Sequence, residues 1–360
     1  MAILVHFQPL SLDGPPEGQK TSRVVQRPCM PSPISLLYEP LIARDVKAVP
    51  AAVRKFRKSH AQEELFQAVA RFALLSYSPS QHGKHAVLSC LAAHDLRDEL
   101  RARFDETLTE CAIYAAQSRQ PWSEPPITDP PALADEQSGA IEEIEEAIEQ
   151  SDRLRAERWL ARRIADADFA GDYFRVAARD LSDYGHKLIV ATAAWRLAEL
   201  LGEKGRFATL RVAVTEWTAH KGESCSGGKP SREAAELLPH LIERMVLDGG
   251  STLSFHPIAL LDATLSASQL GADQMVVPQA LHAIEQDLAR LIDQRPMVMD
   301  AHVKPFAPYR LARDYGQCLK AYAIFNRLQP LFPDVDCAPI VTSSRHNLRH
   351  GPSFEEWSFA

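Results

Sequence analysis

The 360-residue sequence predicts an all-α fold. From about residue 51 onward, apolar residues recur at three- and four-residue spacings, the period of an amphipathic helix. Nowhere do strand-like segments alternate with helical ones. The composition, 46% hydrophobic and 24% charged, supplies apolar mass for a sizeable core and too little charge for a disordered chain.

The first 50 residues hold Pro15, Pro16, Pro28, Pro31, Pro33, Pro40 and Pro50. Each removes a backbone donor and biases its predecessor away from helix, so this stretch predicts a mostly extended arm along the outside of the fold. A helical domain is expected over 51–330. Its first helix carries Leu65, Val69, Phe72 and Ala73. After a break near 76–83, helices are expected at 84–98 and 101–117. Prolines at 121, 125, 126, 130 and 131 predict a surface linker near 121–136. Further helices are expected near 153–166, 170–182, 187–203, 206–220, 231–247, 257–268, 277–293 and 307–328. Glu142, Glu143, Glu145 and Glu146, interleaved with isoleucine and alanine, read as a solvated helix face. Trp159, Trp195 and Trp217 fall on these helices and read as core. Residues 331–360 are expected as a C-terminal tail.

Composition also bounds function. Acidic residues number 47 against 40 basic, a net charge of −7, whereas a nucleic-acid binder usually carries a basic stripe. No apolar run reaches the roughly 18 residues of a membrane span. The first ten residues lack a basic region before their short apolar stretch, so no cleaved secretory signal is expected. Six scattered cysteines without a CxxC pair read as reduced thiols, consistent with a cytoplasmic setting. The glycine-rich segment 222–230 fails as a phosphate loop. Its spacing to Lys229 is one residue too long, and Pro230 stands where Ser or Thr would hold magnesium.

The informative feature is a recurrence. Gly83-Lys-His85, Gly185-His186-Lys and Phe255-His256-Pro257 each precede a run of small and apolar residues. Pro257 suits a first helical position, so each His is expected at or just before a first helical turn. Small residues let helices approach closely, which predicts three helix N-termini around one cavity. Partial positive charge at a helix N-terminus disfavours imidazolium, and neutral imidazole can donate a hydrogen bond, accept a proton or ligate a metal. Plain helix capping accounts for a single such His equally well. Asp262 follows on the third of these helices. His302 and Lys304, two apart, are expected at the cavity rim, and His82 precedes His85 by three.

Together, His82-Gly-Lys-His85-Ala-Val-Leu-Ser-Cys-Leu, His186-Lys-Leu-Ile-Val-Ala, Phe255-His256-Pro257-Ile-Ala-Leu and His302-Val-Lys304 resemble the helix starts of the questin oxidase-like family. The likeness spreads over roughly residues 77–325. It departs from the family pattern in two ways. No Asn precedes His82, and the second His of the family's middle motif is missing after both His186 and His256. The resemblance implies an oxidoreductase, a monooxygenase of secondary metabolism that cleaves a polycyclic quinone by oxygen-dependent, NADPH-assisted Baeyer–Villiger-type chemistry. It implies His85, His186 and His256 as catalytic groups, with His82, His302, Lys304 and Asp262 around a hydrophobic aromatic substrate. No GxGxxG fingerprint accompanies the implied NADPH.

Two other classes fit the residues. His60, His94-Asp95 and Asp166 or Asp168 resemble the ligand pattern of metal-dependent phosphohydrolases, in which a divalent ion activates water. Alternatively, a small-residue bundle can sequester an apolar guest without chemistry, its histidines only orienting polar groups. The residues alone leave metal binding and oligomeric state open.

Overall fold

The computed structural model describes residues 33–75, 77, 81–118, 130–132, 139–219, 228–247, 252–272, 274–294 and 315–350. Among them no strand occurs, and the fold is all-α. No helix among them is long and apolar enough to cross a membrane.

The chain opens on α1 (Pro33–Ala43), α2 (Val49–Arg57) and α3 (Gln62–Leu75), followed by α4 (Gln81–Asp95), the single turn α5 (Arg97–Leu100) and α6 (Phe104–Ser118). The expectation of an extended arm is therefore corrected over Pro33–Ala43. Pro33 opens the helix where its missing N–H has no partner to lose. Leu37, Tyr38 and Leu41 bury one face, and that packing outweighs Pro40 inside the helix. Val49 and Pro50, at the end of that expected arm, already belong to α2, while 1–32 lie outside the described residues, as does most of the expected linker at 121–136.

The second half comprises α7 (Ile141–Glu149), α8 (Arg153–Arg163), α9 (Phe169–Ala178), α10 (His186–Leu201), α11 (Arg206–Ala219) and α12 (Ala234–Leu247). It continues through α13 (Thr252–Gln269), α14 (Val276–Gln294), α15 (Tyr315–Leu331) and α16 (Ala338–His350). The expected tail thus contains a helix, α16, held on α15 with Ile340 and Leu348 buried.

Two apolar cores meet along α10 and α15. One gathers α1–α6 around Leu65, Phe66, Leu96 and Leu108. The other gathers α7–α14 around Trp159, Phe169, Tyr173, Phe174, Trp195 and Trp217. In the second, Tyr173 packs its ring against Trp195 at 5.4 Å and Trp217 at 5.0 Å between centroids. Helix α10 turns Val190, Ala193 and Leu197 to the first core and Leu188, Ala191 and Ala194 to the second. A helix apolar on every face is stable only as an interior strut, and α10 is that strut. Its alanines allow the close neighbours that shape the site.

Candidate functional site

Four helices, α4, α10, α13 and α15, surround one cavity. Each helix contributes one stripe. His85, Leu88, Ala92 and Asp95 come from α4, and His186, Ile189, Ala193 and Arg196 from α10. His256, Ala259, Asp262 and Ala263 come from α13, and Lys320, Ile324 and Arg327 from α15. These spacings of three and four residues place each set on one helical face.

Three of the walls run in the same direction. Lys84 of α4 reaches Asp183, just before α10, at 2.9 Å, while Asp95 at the other end of α4 meets Arg196 of α10 at 2.8 Å. The rings of His186 and His256 lie 4.9 Å apart, and about two turns further along Thr192 Oγ1 lies 3.4 Å from the Ala263 carbonyl. The cavity thus has a histidine end and an acid–arginine end, separated by the ten residues from His85 to Asp95, about 15 Å of helix.

His85, His186 and His256 therefore line one cavity. Only His186 is a first helical residue, however. His85 and His256 are each the fifth residue of their helices, because α4 begins at Gln81 and α13 at Thr252. The expected place of Pro257 at a first helical position is corrected: it lies inside α13. Burial of Phe255, Ile258, Leu260 and Leu261 holds the turn that the missing N–H weakens. Helical side chains tilt toward the N-terminus, so His85 and His256 still cover the first turns of their helices.

Each imidazole has its own setting. His85 is buried, with Nδ1 3.2 Å from the Tyr114 hydroxyl of α6. His256 stacks on Tyr184 at 4.8 Å and meets His186 edge to face at 76°. His186 Nδ1 lies 2.6 Å from the Asp183 carbonyl and 3.1 Å from its Oδ2. A carbonyl oxygen only accepts, so Nδ1 carries the proton and Nε2 keeps its lone pair in the neutral ring.

Behind this end lies an ion cluster in which Lys84 and Glu216 are buried and Asp183 is exposed. Lys84 Nζ sits 2.9 Å from Asp183 and 2.8 Å from Glu216 of α11, and the Tyr77 hydroxyl donates to Glu216 at 2.5 Å. Burial opposes charge on Lys84, but the two carboxylates outweigh it and hold its pKa above the ordinary value. Burial likewise acts to raise the Asp183 carboxyl. Hydrogen bonds from His186 and Lys84 overcome that and hold it well below the ordinary range.

At the opposite end Asp95 accepts from Arg196 at 2.8 Å and also from Arg327. Arg327 forks onto Asp262, Nε to Oδ1 at 3.0 Å and Nη2 to Oδ2 at 2.5 Å. Bidentate pairing of this kind combines strength with a set geometry. Asp262, expected as a substrate contact, lines the cavity with both oxygens engaged by Arg327. His302 and Lys304 lie outside the described residues, and for His82 only the backbone, in the first turn of α4, is described.

The phosphohydrolase pattern does not assemble. His60 stacks on Phe56 at 4.1 Å, and His94 tilts against Phe66 at 4.7 Å. Asp166 and Asp168 both pair with Arg163, at 2.8 and 2.9 Å. Asp95 turns instead into the cavity. Among the described residues no three His, Cys, Asp or Glu side chains are grouped to hold a metal ion.

Sequence reasoning missed Arg196, Lys320, Arg327, Lys84 and Asp183. One signal was available: Asp95 and Arg196 each stand ten residues after a flagged histidine. Nothing local marks Arg327, whose partners lie 65 and 232 residues away. Compared with known proteins, the chain matches no protein-family model, no curated protein and no solved structure.

Proposed function

We propose that this chain is a questin oxidase-like oxidoreductase that oxygenates a flat polycyclic phenol or quinone. One observation carries the reading. Three imidazoles from segments 101 and 70 residues apart in sequence converge on one end of a cavity walled by leucine, isoleucine and alanine. An apolar slot holds fused rings, and imidazoles address phenolic and carbonyl oxygens.

In this reading one neutral imidazole removes the phenolic proton, which raises electron density in the ring for reaction with oxygen. The others donate hydrogen bonds to the carbonyl oxygen where negative charge develops. Insertion of one oxygen atom next to the carbonyl leaves the second to be reduced to water by two electrons and two protons. The family likeness implies NADPH as their donor. The cavity itself does not suit NADPH, because Arg196 and Arg327 are tied to Asp95 and Asp262 and offer no free basic pair to a pyrophosphate. No step is therefore assigned to a nucleotide bound there.

The test is oxygen consumption by the full chain with NADPH and a panel of hydroxyanthraquinones, for wild type and for His85→Ala, His186→Ala and His256→Ala. Loss of the true base lowers the rate by roughly 10²–10⁴-fold with the fold intact. Binding of the panel without turnover supports a sequestering protein instead. Three variants as active as an active wild type retire the histidines.

A further inference from the structure

Resting on that reading, we propose that His186 is the proton acceptor of the cavity and that Asp183 is its positioning residue. Asp183, Tyr184 and Gly185 have φ of 50°, 58° and 73°, three consecutive residues in the left-handed region. Outside glycine that region is uncommon, and each such residue costs on the order of 1–3 kcal/mol. Persistent strain of this kind clusters at functional sites, where surrounding structure over-determines it.

What the turn achieves is specific. It brings both the carbonyl and the carboxylate of Asp183 back onto Nδ1 of His186, three residues later. Packing fixes it there, since a Cβ on Gly185 would meet Leu260 Cδ1 at 2.6 Å. Tyr184 is thereby placed flat on His256.

The charge balance around His186 favours the same assignment. Asp183, Lys84 and Glu216 form a connected cluster of two carboxylates and one ammonium. It is one positive charge short, and His186 is the member able to supply it by taking a proton. The step balances simply: the phenolic O–H bond breaks, the proton joins Nε2, and the ring oxygen keeps the electron pair. The new imidazolium then faces the Asp183 carboxylate across the 3.1 Å contact. His85 lies beside the Tyr114 hydroxyl, which can donate or accept, and His256 lies between the Tyr184 and His186 rings.

The test has two arms. In the full chain labelled with ¹⁵N-histidine, the His186 resonances, identified by their loss in His186→Gln, are expected to show the Nδ1–H tautomer at pH 8. An Nε2–H tautomer overturns the proposal without reference to any substrate. In the kinetic arm, His186→Ala loses roughly 10²–10⁴-fold in kcat and regains activity with added imidazole, while His85→Ala and His256→Ala are not rescued. Asp183→Ala lowers kcat by a smaller factor at unchanged KM, and Asp183→Glu recovers part of the loss. Rescue of His85→Ala or His256→Ala, or an Asp183→Ala effect confined to KM, defeats the assignment. A wild type inert toward the whole panel retires the oxidase reading, and the tautomer then decides for or against the His186 geometry alone.

Discussion

The two ends of the cavity are built from similar residue types and solve different problems. At the acid–arginine end, Asp95, Asp262, Arg196 and Arg327 form a chain of alternating sign with no net charge. Every formal charge there faces an opposite one, so the network ties α4, α10, α13 and α15 together. The histidine end is held by a left-handed turn and a cluster left one positive charge short. A charge-complete network supports structure, whereas an incomplete one beside a titratable ring is poised to move a proton.

Breaking the complete end should have the largest effect on stability. Arg327→Met leaves Asp95 with one partner and Asp262 with none from this network, and is expected to cost about 3–5 kcal/mol in thermal or urea unfolding. Unfolding like wild type would mean that the network is not what joins the four helices.

Gly185→Ala attacks the other end through its backbone. The added Cβ overpacks Leu260 at a positive φ, for an expected cost of about 2–4 kcal/mol. Combining it with Leu260→Ala should cost less than the sum of the two single changes, since the two groups compete for one space. Strict additivity would locate the strain elsewhere.

Acid titration sharpens the contrast further. The Asp183 carboxyl is held below its ordinary 3.8, so its contribution is present above that value and is lost as pH falls below it. Asp183→Asn should therefore be less stable than wild type at pH 6, and the gap should close toward pH 2. A gap that stays constant would separate Asp183 from the ion cluster.

A second pH dependence, of opposite sign, concerns Glu110, one helical turn before Tyr114 on α6. Burial, with a lesser contribution from Glu106, pushes its carboxyl up to about 7. The folded state then keeps a proton that the unfolded chain releases near its ordinary 4.5. Stability is full below 4.5 and declines as pH rises toward about 7. Glu110→Gln should remove that decline, so denaturant midpoints of variant and wild type diverge between those pH values and run parallel above. Parallel curves throughout would show that Glu110 is hydrated.

Legibility followed the range of the interactions. The buried stripe of α3, with Leu65, Val69, Phe72 and Ala73, and the tryptophan core are visible as three- and four-residue periods. The histidine recurrence was equally local, as was the run of alanines in α10 that lets its neighbours approach. Harder to see were α1, where Pro40 argues against helix, and the true start of α13. In both, buried apolar contacts made far along the chain outweigh a local preference.

By itself, then, the amino-acid order determined an all-α chain with three His-bearing helices rich in small residues, because helical period and close approach depend on neighbours within a turn or two. Only the tertiary structure decided that α4, α10 and α13 run side by side in one direction. It alone brought Arg327 to Asp95 and Asp262 and turned the 183–185 backbone left-handed beneath His186. Those outcomes depend on contacts between segments 65 to 232 residues apart, which no local pattern encodes, and on a strained turn that the surrounding packing stabilises against its own preference.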